Sequence, residues 1–207
     1  MKRNFNEEAI IIIENYPYKH HFFDPFKILI STILSQRTKD ENMLKASYNL
    51  FEKYDAPEKL SKALYKDISD LIKPAGMYNQ KSKNIIETSK IIVEKYNSIV
   101  PNTIEELVKL PGVGRKTANI VLFIGYKIPT MAVDTHVHRI ANRLEWIDTK
   151  KTDDSELELM KVIEKELWGP LNGCMVAFGQ QTCKPQKPLC NNCPLNKFCP
   201  HCEKVGK

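Results

Sequence analysis

The chain alternates apolar stretches of helical period with short polar breaks, and no segment shows the strict alternation of a half-buried strand. Residues 7–16 form the first element, but the run Ala9–Ile13 is too uniformly apolar for periodicity to choose between helix and strand. Asp24 and Pro25 read as N-cap and first position of a helix over residues 26–34. Ile28, Leu29, Ile30, Ile33 and Leu34 make it apolar nearly all round, which predicts a place at the centre of a core. The abruptly polar Ser35-Gln36-Arg37-Thr38 ends it, and a helix over 39–54 follows with Met43, Leu44, Ser47, Leu50 and Phe51 inward. Segments 57–64 and 66–72 are short helical pieces, broken at Pro74-Ala75-Gly76.

The second half repeats the style. A long helix over 80–96 turns Ile85, Ile86, Ile92 and Val93 inward, and Val100-Pro101 stops the chain. Thr103 and Glu106 are spaced as a capping box for a helix over 103–110. Pro111-Gly112-Val113-Gly114 then makes a hairpin into a second helix ending near Gly125. After Pro129, Val137, Ile140, Ala141 and Leu144 give residues 132–144 helical period, with Asp134 just ahead. Asp153-Asp154-Ser155 is read as capping a helix through Trp168, and 173–180 as a last apolar helix. The expectation is an all-α fold of about ten short helices, without internal repeats or a long linker.

Composition narrows the class. A chain of 207 residues can bury a real core. A net charge of +6 and a pI near 8.9 permit a polyanionic partner without demanding one. No run approaches the roughly 18 apolar residues of a membrane span. Met1–Asn6 lacks the apolar stretch of a signal peptide, so a cytoplasmic protein is expected. Cys183, Cys190, Cys193, Cys199 and Cys202 crowd the C terminus, a pattern of metal ligation in a reducing compartment.

Three places carry candidate chemistry. Gly112 and Gly114 let the backbone turn sharply and approach another molecule closely. The first-turn amides of the next helix carry the positive end of its dipole, which predicts an anion site, with phosphate as the anion. Lys116 lies in that first turn, where the dipole opposes an ammonium and favours the neutral, nucleophilic amine. Asp134 reads either as a plain N-cap or as a carboxylate that balances developing positive charge, and one side chain can serve both purposes. His136 and His138 point about 200° apart on a helix and cannot share an ion. Cys174, among apolar neighbours, is expected to be a buried thiol. In the C-terminal loop, Cys183, Cys190, Cys193 and Cys199 form one quartet, and Cys190, Cys193, Cys199 and Cys202 form another. Thiolates suit zinc and iron–sulfur clusters alike, so spacing leaves both quartets and both metals open.

Leu-Pro-Gly-Val-Gly-Arg-Lys-Thr-Ala at 110–118, Val-Asp-Thr-His-Val at 133–137 and C-x6-C-x2-C-x5-C at 183–199 together resemble the endonuclease III family of helix-hairpin-helix DNA glycosylases. The likeness runs from about Phe26 to Cys199. It implies two helical lobes flanking a DNA-binding cleft. One lobe would span 21–133 and carry the hairpin; the other would join 1–20 to 134–207. It also implies a [4Fe–4S] cluster on Cys183, Cys190, Cys193 and Cys199, with Cys202 as an extra thiol.

By the same resemblance Lys116 is the catalytic lysine and Asp134 the catalytic aspartate. Family members that act only as glycosylases usually lack the lysine, so its presence implies AP lyase activity too. Gly112, Val113, Gly114 and Arg115 would meet the DNA backbone, as would Lys184 and Lys187 beside the first cluster ligand. Met77 matches the wedge entering the duplex. The family commonly has Leu-Ser-x-Gln-x-Thr; here Ser35 is followed by Gln36 and Arg37, and either could fill the gap left by a flipped base. The implied protein is a monomeric, DNA-associated enzyme acting on duplex DNA with a damaged base, an oxidised pyrimidine, or an abasic site. Alternative readings are a same-fold glycosylase for mismatched thymine, uracil or adenine, and a non-catalytic DNA-binding module with a zinc site.

Overall fold

The computed structural model describes residues 3–205, so the ends of the ranges given above (Met1 and Lys2, Gly206 and Lys207) lie outside the described residues. Within them the chain is helical, with twelve α-helices, two 3-10 turns and no strand. Two compact units form, one from His21 to Ile128, the other from the residues up to His20 together with Pro129 onward.

The first unit is built around α2 (Pro25–Ser35). Asp24 accepts from the amide of Lys27 at 2.9 Å and Pro25 occupies the first turn, so the helix opens as its sequence dictates. Phe26, Ile28, Leu29, Ile30, Ile33 and Leu34 are all buried, which fits a helix apolar on every side. Burying one such side chain is worth about 1.5–3 kcal/mol, enough to make this helix the seed of the unit's core. Against it pack α3 (Asp40–Phe51) and α8 (Arg115–Tyr126). The short α4 (Pro57–Ser61) and α5 (Tyr65–Leu71) lie on the long α6 (Tyr78–Tyr96), which buries Ile85 and Ile92. A 3-10 turn, Lys73–Ala75, joins α5 to α6.

The hairpin follows α7 (Ile104–Leu107), a single turn shorter than its pattern predicts. Thr103 caps it, accepting from the amide of Glu106 at 3.4 Å. The reciprocal half of the box is diverted: the Glu106 carboxylate accepts from Tyr96 and Lys109. The chain then turns at Leu110, whose buried side chain holds the entry to the hairpin.

The second unit pairs the two ends of the chain. Helix α1 (Phe5–Asn15) packs on α11 (Lys165–Gln181), which also receives α9 (Thr135–Arg143). Asn4 resolves the ambiguity of the first segment, accepting from the amides of Asn6 and Glu7 and so closing a helix N terminus. Buried Glu8 is neutralised by a fork-shaped pair of bonds from Arg3, at 2.9 and 2.6 Å, and accepts from the Trp146 indole at 2.7 Å. Met131 and Val133, expected with the hairpin unit, instead bury themselves in this core. Asp153, Asp154 and Ser155 sit inside the first turn of α10 (Thr152–Val162) and do not cap it. That helix stops at Val162 because Ile163 is extended, and α11 begins at Lys165, carrying Pro170 within it at the loss of one backbone bond. The last helix, α12 (Pro200–Val205), ends the described chain.

Candidate functional site

In the hairpin, Gly112 has φ of +77°, a conformation that L side chains rarely adopt, and a Cβ there would stand 2.6 Å from Nδ2 of Asn84. Only glycine fits. Gly114 differs: its φ of −100° is open to any residue, and a Cβ would meet nothing within 4 Å. The protein's own packing therefore gives no reason for its bareness. Val113 is buried and anchors the turn, and Thr88 donates to the carbonyl of Pro111 at 3.0 Å. Gly114 is the N-cap of α8 and supplies no side-chain cap; exposed Arg115 and half-buried Lys116 are its first two residues.

Two further turns of the same unit carry predicted contact residues. Exposed Arg37 (φ +52°) follows α2, and Met77 (φ +46°), 55% exposed, precedes α6. Left-handed backbone at non-glycine residues is strained and persists only where its surroundings hold it. Gln36 is not placed like Arg37, since its side-chain amide donates to the carbonyl of Gly112 at 2.8 Å. The sequence reading missed Lys81, on the first turn of α6, whose buried ammonium donates to the end of α2 at Leu34 and to Thr38 and Ala75 beside the two turns. A lysine in line with buried helix positions was the available signal.

Asp134 lies in the other unit, as N-cap of α9. Its Oδ1 accepts from the amides of His136 and Val137 at 2.8 and 3.0 Å, so the capping half of the dual expectation is met. Oδ2 faces Nδ1 of His136 at 3.7 Å. His138 points elsewhere, its Nδ1 bonded to the hydroxyl of Ser155 at 2.6 Å, as two histidines two apart must. Cys174 is buried, and burial pushes its thiol up.

Cys183, Cys190, Cys193, Cys199 and Cys202 line one cavity at the end of α11, beside Phe178 and Arg143. Burial raises Cys193 to about 11 and also raises Cys202, which has Cys190 and Cys199 beside it. Among the described residues no three His, Cys, Asp or Glu side chains are grouped to hold a single ion. Arg143 and Arg139, one turn apart on α9, also went unread in the sequence. Arg143 donates to Sγ of Cys183 at 3.4 Å and to the carbonyls of Lys184 and Pro185 at 2.7 Å each. Arg139 donates to the carbonyl of Cys183 at 2.9 Å. The loop that exposes Lys184 and Lys187 is thus pinned by two guanidinium groups.

Comparison with known proteins agrees with this geometry. Residues 30–165 match the family model described as HhH-GPD superfamily base excision DNA repair protein. Endonuclease III of Thermotoga maritima is 55% identical over 201 residues, covering 97% of this chain and 94% of that protein. A solved non-covalent endonuclease III–DNA complex superposes with a TM-score of 0.90 at 35% identity, covering 98% of this chain and 96% of that one. A trapped endonuclease III–DNA covalent intermediate gives 0.88 at 35% identity, covering 96% and 95%. With the family model spanning hairpin and Asp134, and such identity over nearly the full length, the chain belongs to the HhH-GPD superfamily of base excision DNA repair proteins and, within it, to the endonuclease III family.

Proposed function

We propose that this protein is a base-excision repair enzyme, a DNA glycosylase with AP lyase activity that removes oxidised pyrimidines from duplex DNA and cuts the strand 3′ to the lesion. The observation that carries the reading is the junction of hairpin and α8. Gly112 is demanded by the fold, whereas Gly114 is bare toward the outside, and Lys116 follows within the first turn. A backbone that comes so close to an external strand, at the positive end of a helix, suits a DNA phosphate.

A base inside the stack is out of reach, so its nucleotide must rotate outward at a cost of a few kcal/mol. We assign the vacated space to Arg37 and the wedge to Met77, both exposed on left-handed turns, and assign Gln36 to bracing the hairpin. Nζ of Lys116 attacks C1′ of the sugar; the glycosidic electrons leave with the base, which takes up a proton. Loss of the amine proton and opening of the sugar ring give a Schiff base. This acidifies C2′–H, and removal of that proton breaks the C3′–O bond, releasing the 3′-side strand as a 5′-phosphate. Water then hydrolyses the imine and restores the amine. The Asp134 carboxylate, held by two amides through Oδ1, stabilises the positive charge formed on sugar and amine.

The chemistry of the donor set fits an iron–sulfur cluster. In such a cluster each thiolate binds its own iron, so the ligands surround a cavity instead of converging on a point, as they do here. Cys183, Cys190, Cys193 and Cys199 would hold a [4Fe–4S] cluster, and the Arg143 bond to Sγ of Cys183 favours the quartet that includes it. When bound there, such a cluster would supply a structural cross-link between the four cysteines and so help to fix the loop carrying Lys184 and Lys187.

The test is incubation with thymine-glycol, uracil and abasic duplexes. Cleavage of the thymine-glycol and abasic strands to a 3′-unsaturated aldehyde and a 5′-phosphate is expected. Base release without strand cleavage, or no turnover of any of the three, would refute the assignment.

A further inference from the structure

Lys81 has its ammonium where a methionine would fill the same room more cheaply. The residue is 3% exposed, and burial lowers its pKa to about 8. A group so costly to bury needs a reason in what it holds. Its three donors meet three oxygens: the carbonyl of Leu34 at 2.7 Å, the hydroxyl of Thr38 at 2.7 Å and the carbonyl of Ala75 at 2.9 Å. Leu34 and Thr38 bracket the turn that exposes Arg37; Ala75 ends the 3-10 turn and opens the 75–77 turn that exposes Met77. The Thr38 hydroxyl itself reaches the carbonyls of Gln36 and Ala75. Gln36 in turn bonds the hairpin at Gly112. The two strained turns are thus cross-tied through one nitrogen.

We propose that Lys81 is a positioning residue, its ammonium holding the 35–38 and 75–77 turns in one register so that Arg37 and Met77 enter the duplex together. The proposal rests on the glycosylase reading above. It predicts damage to steps that need insertion and none to the covalent chemistry itself. In a single-stranded abasic oligonucleotide there is no partner strand to part, so insertion has no work to do.

The experiment compares wild type, Lys81→Met and Thr38→Val by single-turnover base excision from a thymine-glycol duplex and by cleavage of a single-stranded abasic oligonucleotide. For Lys81→Met the duplex rate is expected to fall about 10- to 100-fold, the loss of hydrogen bonds from a charged donor. Cleavage of the single strand should stay within about twofold of wild type. Fluorescence of a 2-aminopurine placed opposite the lesion, which rises as that base unstacks, should rise correspondingly more slowly. Thr38→Val should show the same split at roughly a third to a tenth of the effect, and it decides the matter if Lys81→Met does not fold. Equal loss on both substrates, or a wild-type duplex rate in the folded variant, overturns the proposal. A wild-type protein inactive on both substrates would instead remove the glycosylase reading beneath it.

Discussion

Asp134 serves two ends with two oxygens, and the two are separable by substitution. Oδ1 satisfies two orphan amides at the start of α9, which an asparagine oxygen does equally well. The negative charge that the mechanism requires is lost in the same change. Asp134→Asn should therefore leave the melting temperature close to wild type and retain DNA binding while slowing turnover about 100-fold. Asp134→Ala should add a loss of about 1 kcal/mol of stability from the missing cap. Chemical denaturation and single-turnover kinetics on both variants check this. Unchanged turnover in the asparagine variant would return Asp134 to a plain cap.

At the scale of the element, the hairpin makes its two glycines distinguishable. Gly112→Ala places a Cβ in a left-handed conformation and against Asn84, and should cost roughly 1–3 kcal/mol of stability. Gly114→Ala meets nothing and should leave stability within about 0.5 kcal/mol. Its loss should instead appear in DNA affinity, about tenfold or 1.4 kcal/mol, as the methyl holds a phosphate away from the α8 amides. A thermal melt and a binding titration separate the pair. Full affinity in Gly114→Ala would deny the close approach.

These elements also show what a sequence makes legible. The helix around Ile28–Leu34 was readable because Asp24-Pro25 marks its start and its apolar residues have nowhere to go but inward. The break at Ile163 was not, because the apolar period runs across it and only the backbone shows the extended residue. The capping box at Thr103 was half right, since a spacing motif cannot show that Tyr96 and Lys109 compete for the Glu106 carboxylate. In the candidate site, Lys116, Asp134 and the cysteines are legible as candidates because their residue types carry chemistry of their own. The residues that act by holding others, Lys81, Arg139 and Arg143, did not. Most of their partners are main-chain carbonyls some forty residues away, which leave no mark in the pattern of side chains.

For the whole molecule, the unit built from both chain termini ties its cysteine loop to the N-terminal helix, as Tyr16 and Thr182 share a hydrogen bond of 2.7 Å. A cluster in that loop would support the unit's folding as well as its lysines. Purified protein should be brown and contain iron; Cys183→Ser should lose the visible absorption, and Cys202→Ser should keep it. A colourless, zinc-loaded wild type would contradict the cofactor assignment. The central claim remains that one amine, at the start of α8, becomes bonded to the DNA. The most direct measurement is borohydride reduction of the protein mixed with a thymine-glycol duplex, read as a protein–DNA band on a denaturing gel. Wild type should give the band and Lys116→Gln none; a band at wild-type yield in the glutamine variant would contradict the account.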